Sequence, residues 1–218
     1  MKCNNIVSDL YVIAGKVPAG MKKMSLIKND KEQRVMVFID VRNIMNGART
    51  ETGGNYKIDF SEMTNLLVRN RSLLAAYIFD NQRVTEDGSY DKFHACLKYE
   101  GFRVIVRPPC DQDSKVQKEV DVAMACEILS HAYKDNYDVA IIVSGDRDFV
   151  PVMEHVQSLG KIVEVASFNS CISSYSRMAA DKFWSLSKMG IMCLEGYRGR
   201  DIDEVSIGSI SDVEVEVE

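Results

Sequence analysis

The sequence predicts an α/β fold: an open, mainly parallel sheet with helices on both faces, making a three-layer sandwich. Three observations predict it. Short, continuous apolar runs recur along the chain, as strands buried on both faces require. Amphipathic stretches of helical length lie between them, and strand–helix alternation implies parallel strands joined by right-handed crossovers. The composition, 46% hydrophobic over 218 residues, supports one substantial core.

The elements follow in order. VMVFID, 35–40, reads as the first buried strand. NGARTETGGNYKID, 46–59, is Gly-rich and polar and is expected to be a loop. FSEMTNLLVRN is helical, with Phe60, Met63, Leu66 and Leu67 on one side. LLAAYIFD, 73–80, is the second strand. YDKFHACLKYEG, 90–101, is an amphipathic helix closed by Gly101. FRVIVRP, 102–108, is a third strand stopped by Pro108 and Pro109, and CDQDSKVQKEV is a polar connection. DVAMACEILSHAYKD, 121–135, is a helix with acids near its start, which suit the macrodipole. YDVAIIVSG is the fourth strand, DFVPVMEHVQSLG (148–160) a helix, and KIVEVASF (161–168) the fifth strand. SCISSYSRMAADKFWSL supplies a short helix and an extended end.

This divides the chain into an N-terminal extension (1–33) without an assigned element, a folded domain (34–190) and an acidic C-terminal tail (191–218). Net charge is −5, yet residues 199–218 hold seven acids and one base, so residues 1–198 carry +1. A near-neutral domain of this kind binds nucleic acid if its bases cluster on one face. The closing DVEVEVE reads as a solvated tail, or as a strand formed on pairing with a partner. The two terminal extensions are the candidate contacts for a protein partner or a second copy of the chain.

Six cysteines form no CxxC pair, and three histidines are too scattered for zinc spacing. Reduced, mostly buried thiols in a cytoplasmic protein are expected, with Cys126 and Cys171 in apolar surroundings. The start MKCNNIVSDLYVIAG is broken by Asp9 and makes a poor signal peptide. No apolar run approaches the ~20 residues of a membrane helix, so no membrane association is expected.

Ligands of open α/β sheets sit beyond the carboxyl ends of the strands. Asp40 ends the first strand with Asn43 just after it, Asp80 ends the second, Asp121 begins the helix entered from the third, and Asp146 and Asp148 follow the fourth. A parallel sheet would gather these acids on one rim. Clustered carboxylates repel, and a hard divalent cation resolves the conflict. With one or two ions such a site hydrolyses phosphodiesters.

Each acid also has a simpler reading. Asp148 would N-cap the helix beginning at Phe149. Asp121, with Glu119, would satisfy a helix dipole. Asp80, in FDNQ, favours a turn. Glu127, six residues after Asp121, points about 120° away around a helix and reads as supporting or structural. Gly145 permits a sharp turn. Ser144 is placed to donate to a phosphate or a carboxylate, or to close that turn.

FIDVRN, KEVDVAMACEIL, AIIVSGDRDFVPVMEHVQSLGKIVEVASF and AADKFWSL, in this order over residues 35–188, resemble the NYN domain of the LabA-like group, within the PIN-like nuclease superfamily. The resemblance implies a PIN-like, Rossmann-like sandwich. It implies Mg²⁺ or Mn²⁺ held by Asp40, Asp121, Asp146 and Asp148, which would be the catalytic set. Asn43 and Ser144 would stand beside the substrate, and Asp181 and Glu127 would support the site. It further implies cleavage of RNA by a metal-activated water, leaving a 5′-phosphate. Glu127 stands where many members have Asp, and Arg42 where a small residue is common.

An RNA substrate needs bases around an acidic centre. Arg42, Arg49, Lys57, Arg83, Arg107, Lys115, Lys118 and Arg147 all fall at or near connections expected on that rim. Arg42, Arg147 and Lys118 are the leading phosphate contacts. Tyr56, Tyr90 and Phe168 would stack on bases if exposed. No RRM, KH or zinc-finger signature is present. A Toprim enzyme wants an early Glu where Asp40 stands, and a dehalogenase-type phosphatase wants a second Asp where Arg42 stands. A dinucleotide-binding domain wants GxGxxG, which is absent. The expected function is therefore a metal-dependent (endo)ribonuclease. The alternative is a non-catalytic RNA- or protein-binding regulator keeping the same fold.

Overall fold

The computed structural model describes residues 33–54, 57–82, 89–107 and 117–193. In chain order the elements are β1 (Arg34–Asp40), α1 (Val41–Thr52), β2 (Lys57–Ile58), α2 (Phe60–Val68), β3 (Ser72–Asn81), α3 (Ser89–Tyr99) and β4 (Arg103–Arg107). Then come α4 (Gln117–Tyr133), β5 (Val139–Val143), α5 (Val150–Ser158), β6 (Ile162–Ser167), α6 (Ser174–Ala179), β7 (Lys182–Ser185) and β8 (Met192–Cys193). Single 3₁₀ turns occupy Arg147–Phe149 and Leu186–Lys188.

Six strands form one parallel sheet in the order β4-β3-β1-β5-β6-β7. The chain builds outward from β1 through β3 to β4, crosses back through α4, and builds outward again on the other side. The switch in direction falls between β1 and β5, where open sheets of this kind bind ligands.

Alternation along the strands makes the layers. Val35, Val37, Ile39, Ile141 and Val143 face one side, where Ile44 and Ala48 of α1, Met63 and Leu67 of α2, and Leu97 of α3 cover them. Met36, Phe38, Ala140 and Ile142 face the other side, under Met124 and Ile128 of α4 and Met153 and Val156 of α5. Nearly all of these are fully buried, each contributing about 1.5–3 kcal/mol in transfer from water.

The amino end of the sheet carries a buried ionic tie. Arg71 meets Glu164 through two bonds of 2.8 and 3.0 Å, with both side chains only 6% exposed. Trp184 Nε1 donates to the same carboxylate at 2.7 Å. A two-stranded antiparallel ribbon, β2 with β8, and an Asp59 N–H bonded to the Ile191 carbonyl bring the chain past residue 190 back onto the domain.

Several expectations change. The segment 46–59 is not all loop: α1 runs to Thr52 before Gly53 closes it at φ 73°. Ile44 and Ala48, four apart, give that helix its buried stripe, and the Thr50 and Thr52 hydroxyls bond back to the Asn46 and Ala48 carbonyls. Its polarity marks the outer face, which the loop reading mistook for the whole. Helix α4 begins at Gln117, four residues before Asp121. Cys96 and Cys126 are exposed rather than buried, and Cys171 is half-buried. The readings of residues 1–32, Tyr56, Arg83, the 108–116 connection and the tail from 194 fall outside the described residues, as do the side chains of Tyr90 and Lys118.

Candidate metal and phosphodiester site

Asp40 closes β1 and opens α1, so one residue ends the strand and caps the helix. Its carboxylate accepts from the Asn43 N–H at 3.1 Å and, on the other oxygen, from the Ser144 hydroxyl at 3.3 Å. The Gly145 N–H donates to Asn43 Oδ1 at 2.9 Å, and the Asp146 N–H to Ser144 Oγ at 3.2 Å. The ends of β1 and β5 are thereby laced together across the switch point. Gly145 is required there: a Cβ would stand 2.4 Å from the Cys171 carbonyl and 2.7 Å from Ser167 Oγ.

Asn43 and Ser144, expected to touch substrate, therefore make the frame. Ser144 is fully buried, with its hydroxyl held between Asp40 and Asp146. The expected helix cap also moves. Asp146, not Asp148, is the capping acid, accepting from the Asp148 N–H at 3.0 Å, and α5 starts at Val150 without a side-chain cap. Asp148 is left exposed.

The electrostatics report how close the acids stand. Burial pushes Asp40 up to about pKa 6, against the two hydrogen bonds that lower it, and the charges of Asp146 and Asp80 raise it further. Asp121, half-exposed in α4, is raised to about 7 by burial and then by Asp40, Asp146 and Asp148, with Arg42 opposing. Four acids from three distant segments thus share one field, with one arginine acting against it.

Other candidates lie elsewhere. Asp181 stands at the amino end of the sheet, where its carboxylate accepts from the Val163 N–H at 2.8 Å and from Gln157 Nε2 at 3.1 Å. It ties α5 to β6 and does not join the rim. Glu127 pairs with His131 at 3.4 Å and, with Ile105 and Arg107, lines a groove of about 660 Å³ between β4 and α4. Its place on the helix keeps it from the acidic cluster. Phe168 is fully buried core, so it offers no stacking face. Arg147 is exposed, its guanidinium 5.4 Å from the Tyr175 ring centroid.

Asp80 is the residue the sequence reading undervalued. It is no turn residue but lies within β3, 1% exposed, with Oδ1 accepting from the Asn81 N–H at 2.8 Å and Oδ2 3.2 Å from His94 Nε2. The signal was available: FD at the end of the second strand repeats ID at the end of the first. Also missed was the strapping of the acidic loop by α6, through the Ser173 N–H on the Gly145 carbonyl and the Ser176 hydroxyl on the Asp146 carbonyl, both at 2.9 Å.

The donor set is made of hard carboxylate oxygens and suits Mg²⁺ or Mn²⁺ in chemistry. Among the described residues no three His, Cys, Asp or Glu side chains are already drawn into a metal cage. Mg²⁺ commonly takes one or two carboxylates and fills its remaining positions with water and substrate phosphate. Among the described residues no helix is long and apolar enough to cross a membrane.

Comparison with known proteins bears on the fold and the family. No curated protein matches the chain. A crystal structure of a protein of unknown function from Vibrio parahaemolyticus superposes with a TM-score of 0.64 at 22% identity, covering 77% of this chain and all of that one, which supports the fold. A family model described as NYN domain matches residues 34–187, spanning the whole six-stranded sheet. The chain therefore belongs to the NYN domain family, a branch of the PIN-like nuclease superfamily.

Proposed function

We propose that the protein is a metal-dependent ribonuclease that hydrolyses RNA phosphodiester bonds at the carboxyl rim of its sheet, as a member of the LabA-like group. One observation carries the proposal: Asp40, Asp121, Asp146 and Asp148 share one field at the strand ends, where burial first and neighbouring carboxylates second raise Asp40 to about 6 and Asp121 to about 7. Such a cluster is unfavourable in itself, and a divalent cation with a phosphate relieves it.

Asp40, Asp121, Asp146 and Asp148 would hold Mg²⁺ or Mn²⁺, which when bound lowers the pKa of a water and stabilises the departing oxygen. The chain's own residues do the rest. Asn43 and Ser144 hold the Asp40 carboxylate and the Gly145 and Asp146 N–H groups in place. Arg42, whose charge opposes that of the acids at Asp121, and Arg147, between Asp146 and Asp148 in the chain, bind and orient the phosphate backbone. Among the described residues Cys96, Cys126 and Cys171 are free, the first two exposed, which suits a reducing cytoplasm.

Labelled RNA carrying single-stranded and hairpin segments is incubated with Mg²⁺, Mn²⁺ or EDTA, using wild type and Asp146→Asn purified identically. Metal-dependent products from wild type alone are expected. Binding of RNA without turnover in any metal would replace the enzyme with a binding module.

A further inference from the structure

We propose that Tyr175, with Met178 and Arg147, forms a stacking subsite that seats an unpaired base of single-stranded RNA beside the acidic rim. The subsite rests on the ribonuclease reading above and names the form of the substrate.

Tyr175 is 59% exposed and Met178 is 75% exposed. Three residues apart on α6, they share a helix face, so an aromatic ring and a flexible thioether form one apolar patch open to solvent. The Arg147 guanidinium lies over the ring, 5.4 Å from its centroid. Among the described residues Arg147 has no carboxylate within ion-pair distance. Its charge therefore remains for a phosphate.

The patch has a fixed relation to the acids. Arg147 lies between Asp146 and Asp148 in the chain. Ser176, next to Tyr175, donates its hydroxyl to the Asp146 carbonyl at 2.9 Å, and the Tyr175 N–H is held by Ser173 Oγ at 3.3 Å. The Ser173 N–H in turn holds the Gly145 carbonyl. Ring, guanidinium and carboxylates are thus parts of one braced unit.

Other exposed aromatics differ. Tyr133 is committed to His155 through a hydroxyl–imidazole hydrogen bond. Tyr99 is 94% exposed but closes α3 on the way into β4, at the amino end of the sheet. Tyr175 alone of these three stands by the carboxylates with a cation on its face. A base stacked there places its own phosphate at Arg147. Every base has a π-face, so the subsite tolerates sequence, but a paired base cannot enter it.

The test is fluorescence anisotropy of labelled single-stranded oligoadenylate and of a hairpin duplex RNA, in EDTA so that nothing is cut. The proteins are wild type, Tyr175→Ala, Tyr175→Phe, Tyr175→Trp and Tyr99→Ala, each first shown to melt like wild type. Tyr175→Ala is expected to weaken single-strand binding by about tenfold or more. The Phe and Trp variants and Tyr99→Ala should bind like wild type, and duplex binding should not respond to Tyr175. Wild type that ignores the oligoadenylate, Tyr175→Ala that binds it undiminished, or a Phe variant as weak as Ala would overturn the subsite. The same RNA is then offered with Mn²⁺. Stacking without cleavage overturns the ribonuclease reading and leaves the subsite; cleavage unaffected by Tyr175→Ala does the reverse.

Discussion

Replacing Asp40 with Asn should stabilise the metal-free protein at neutral pH. In the fold Asp40 takes up its proton at about pH 6, against 3.8 ordinarily, mainly because burial disfavours the charge. A carboxylate raised in this way stabilises the fold only while it is protonated, so its contribution is present below pH 4 and is lost as pH rises through 6. At about 1.4 kcal/mol per unit of pKa, the charged form costs about 3 kcal/mol at pH 7.5. Asparagine keeps an oxygen to accept from the Asn43 N–H, and it is a good helix cap. Its amide cannot accept from the Ser144 hydroxyl, which must turn around, at a cost of about 1 kcal/mol. The net gain is about 2 kcal/mol, or about 4–8 °C in Tm for a domain of this size. Urea unfolding followed at Trp184, the one tryptophan and a buried one, measures it in EDTA from pH 4 to 8. The gain should vanish or reverse at pH 4. A variant less stable than wild type at pH 7.5, or a difference that ignores pH, would refute the reasoning.

Other consequences can be checked alongside it. Because Asp121 holds its proton to about pH 7, a cation must displace it, and Mn²⁺ affinity measured by calorimetry should fall about tenfold from pH 7 to 6, and more steeply below 6 where Asp40 also takes up its proton. Gly145→Ala drives a methyl group into the Cys171 carbonyl and should lower stability by about 3 kcal/mol, with visible loss of soluble protein. Glu164→Ala strands the Arg71 charge in a buried site and should cost about 3–5 kcal/mol in urea unfolding, although it lies at the end of the sheet away from the acids. Asp181→Ala should cost about 1–2 kcal/mol by freeing the Val163 N–H, while cleavage assayed well below the melting point stays at the wild-type rate.

Strands were legible because burial on both faces leaves a plain mark: VMVFI and VAIIV carry no polar residue, and both sit at the centre of the sheet. Helix α1 was misread because a helix covering an already apolar sheet needs only a narrow stripe, and Ile44 and Ala48 sit among glycine, threonine and arginine that favour a loop when counted by composition. The acids were found by strand ends, a rule that reads topology correctly but says nothing about which hydrogen bonds form. Hence Ser144 and Asn43 were identified as neighbours of the site, and of the partners open to Ser144 the structure shows the Asp40 carboxylate. Asp181 shows the opposite failure, since a motif position gave no hint that its strand begins at the far end of the sheet. Tyr175 carried no periodic or positional mark, and only the return of α6 onto the Gly145–Asp146 backbone brings it near the rim.

The lacing of β1 to β5 sets when the rim can exist at all. Asp40 and Ser144 are 104 residues apart, and Asn43 meets Gly145 across 102. Until β5 has left the ribosome and paired, Asp40 has neither its hydroxyl partner nor the Asp146 carboxylate beside it. A half-made chain emerging amid ribosomal and messenger RNA therefore carries the parts of the acidic centre without the centre itself. A slip of one residue in the β1–β5 pairing would turn Asp40 to the opposite face. The same long-range closure that slows folding thus acts as a proofreading step, withholding the assembled rim from any chain that has not found its register.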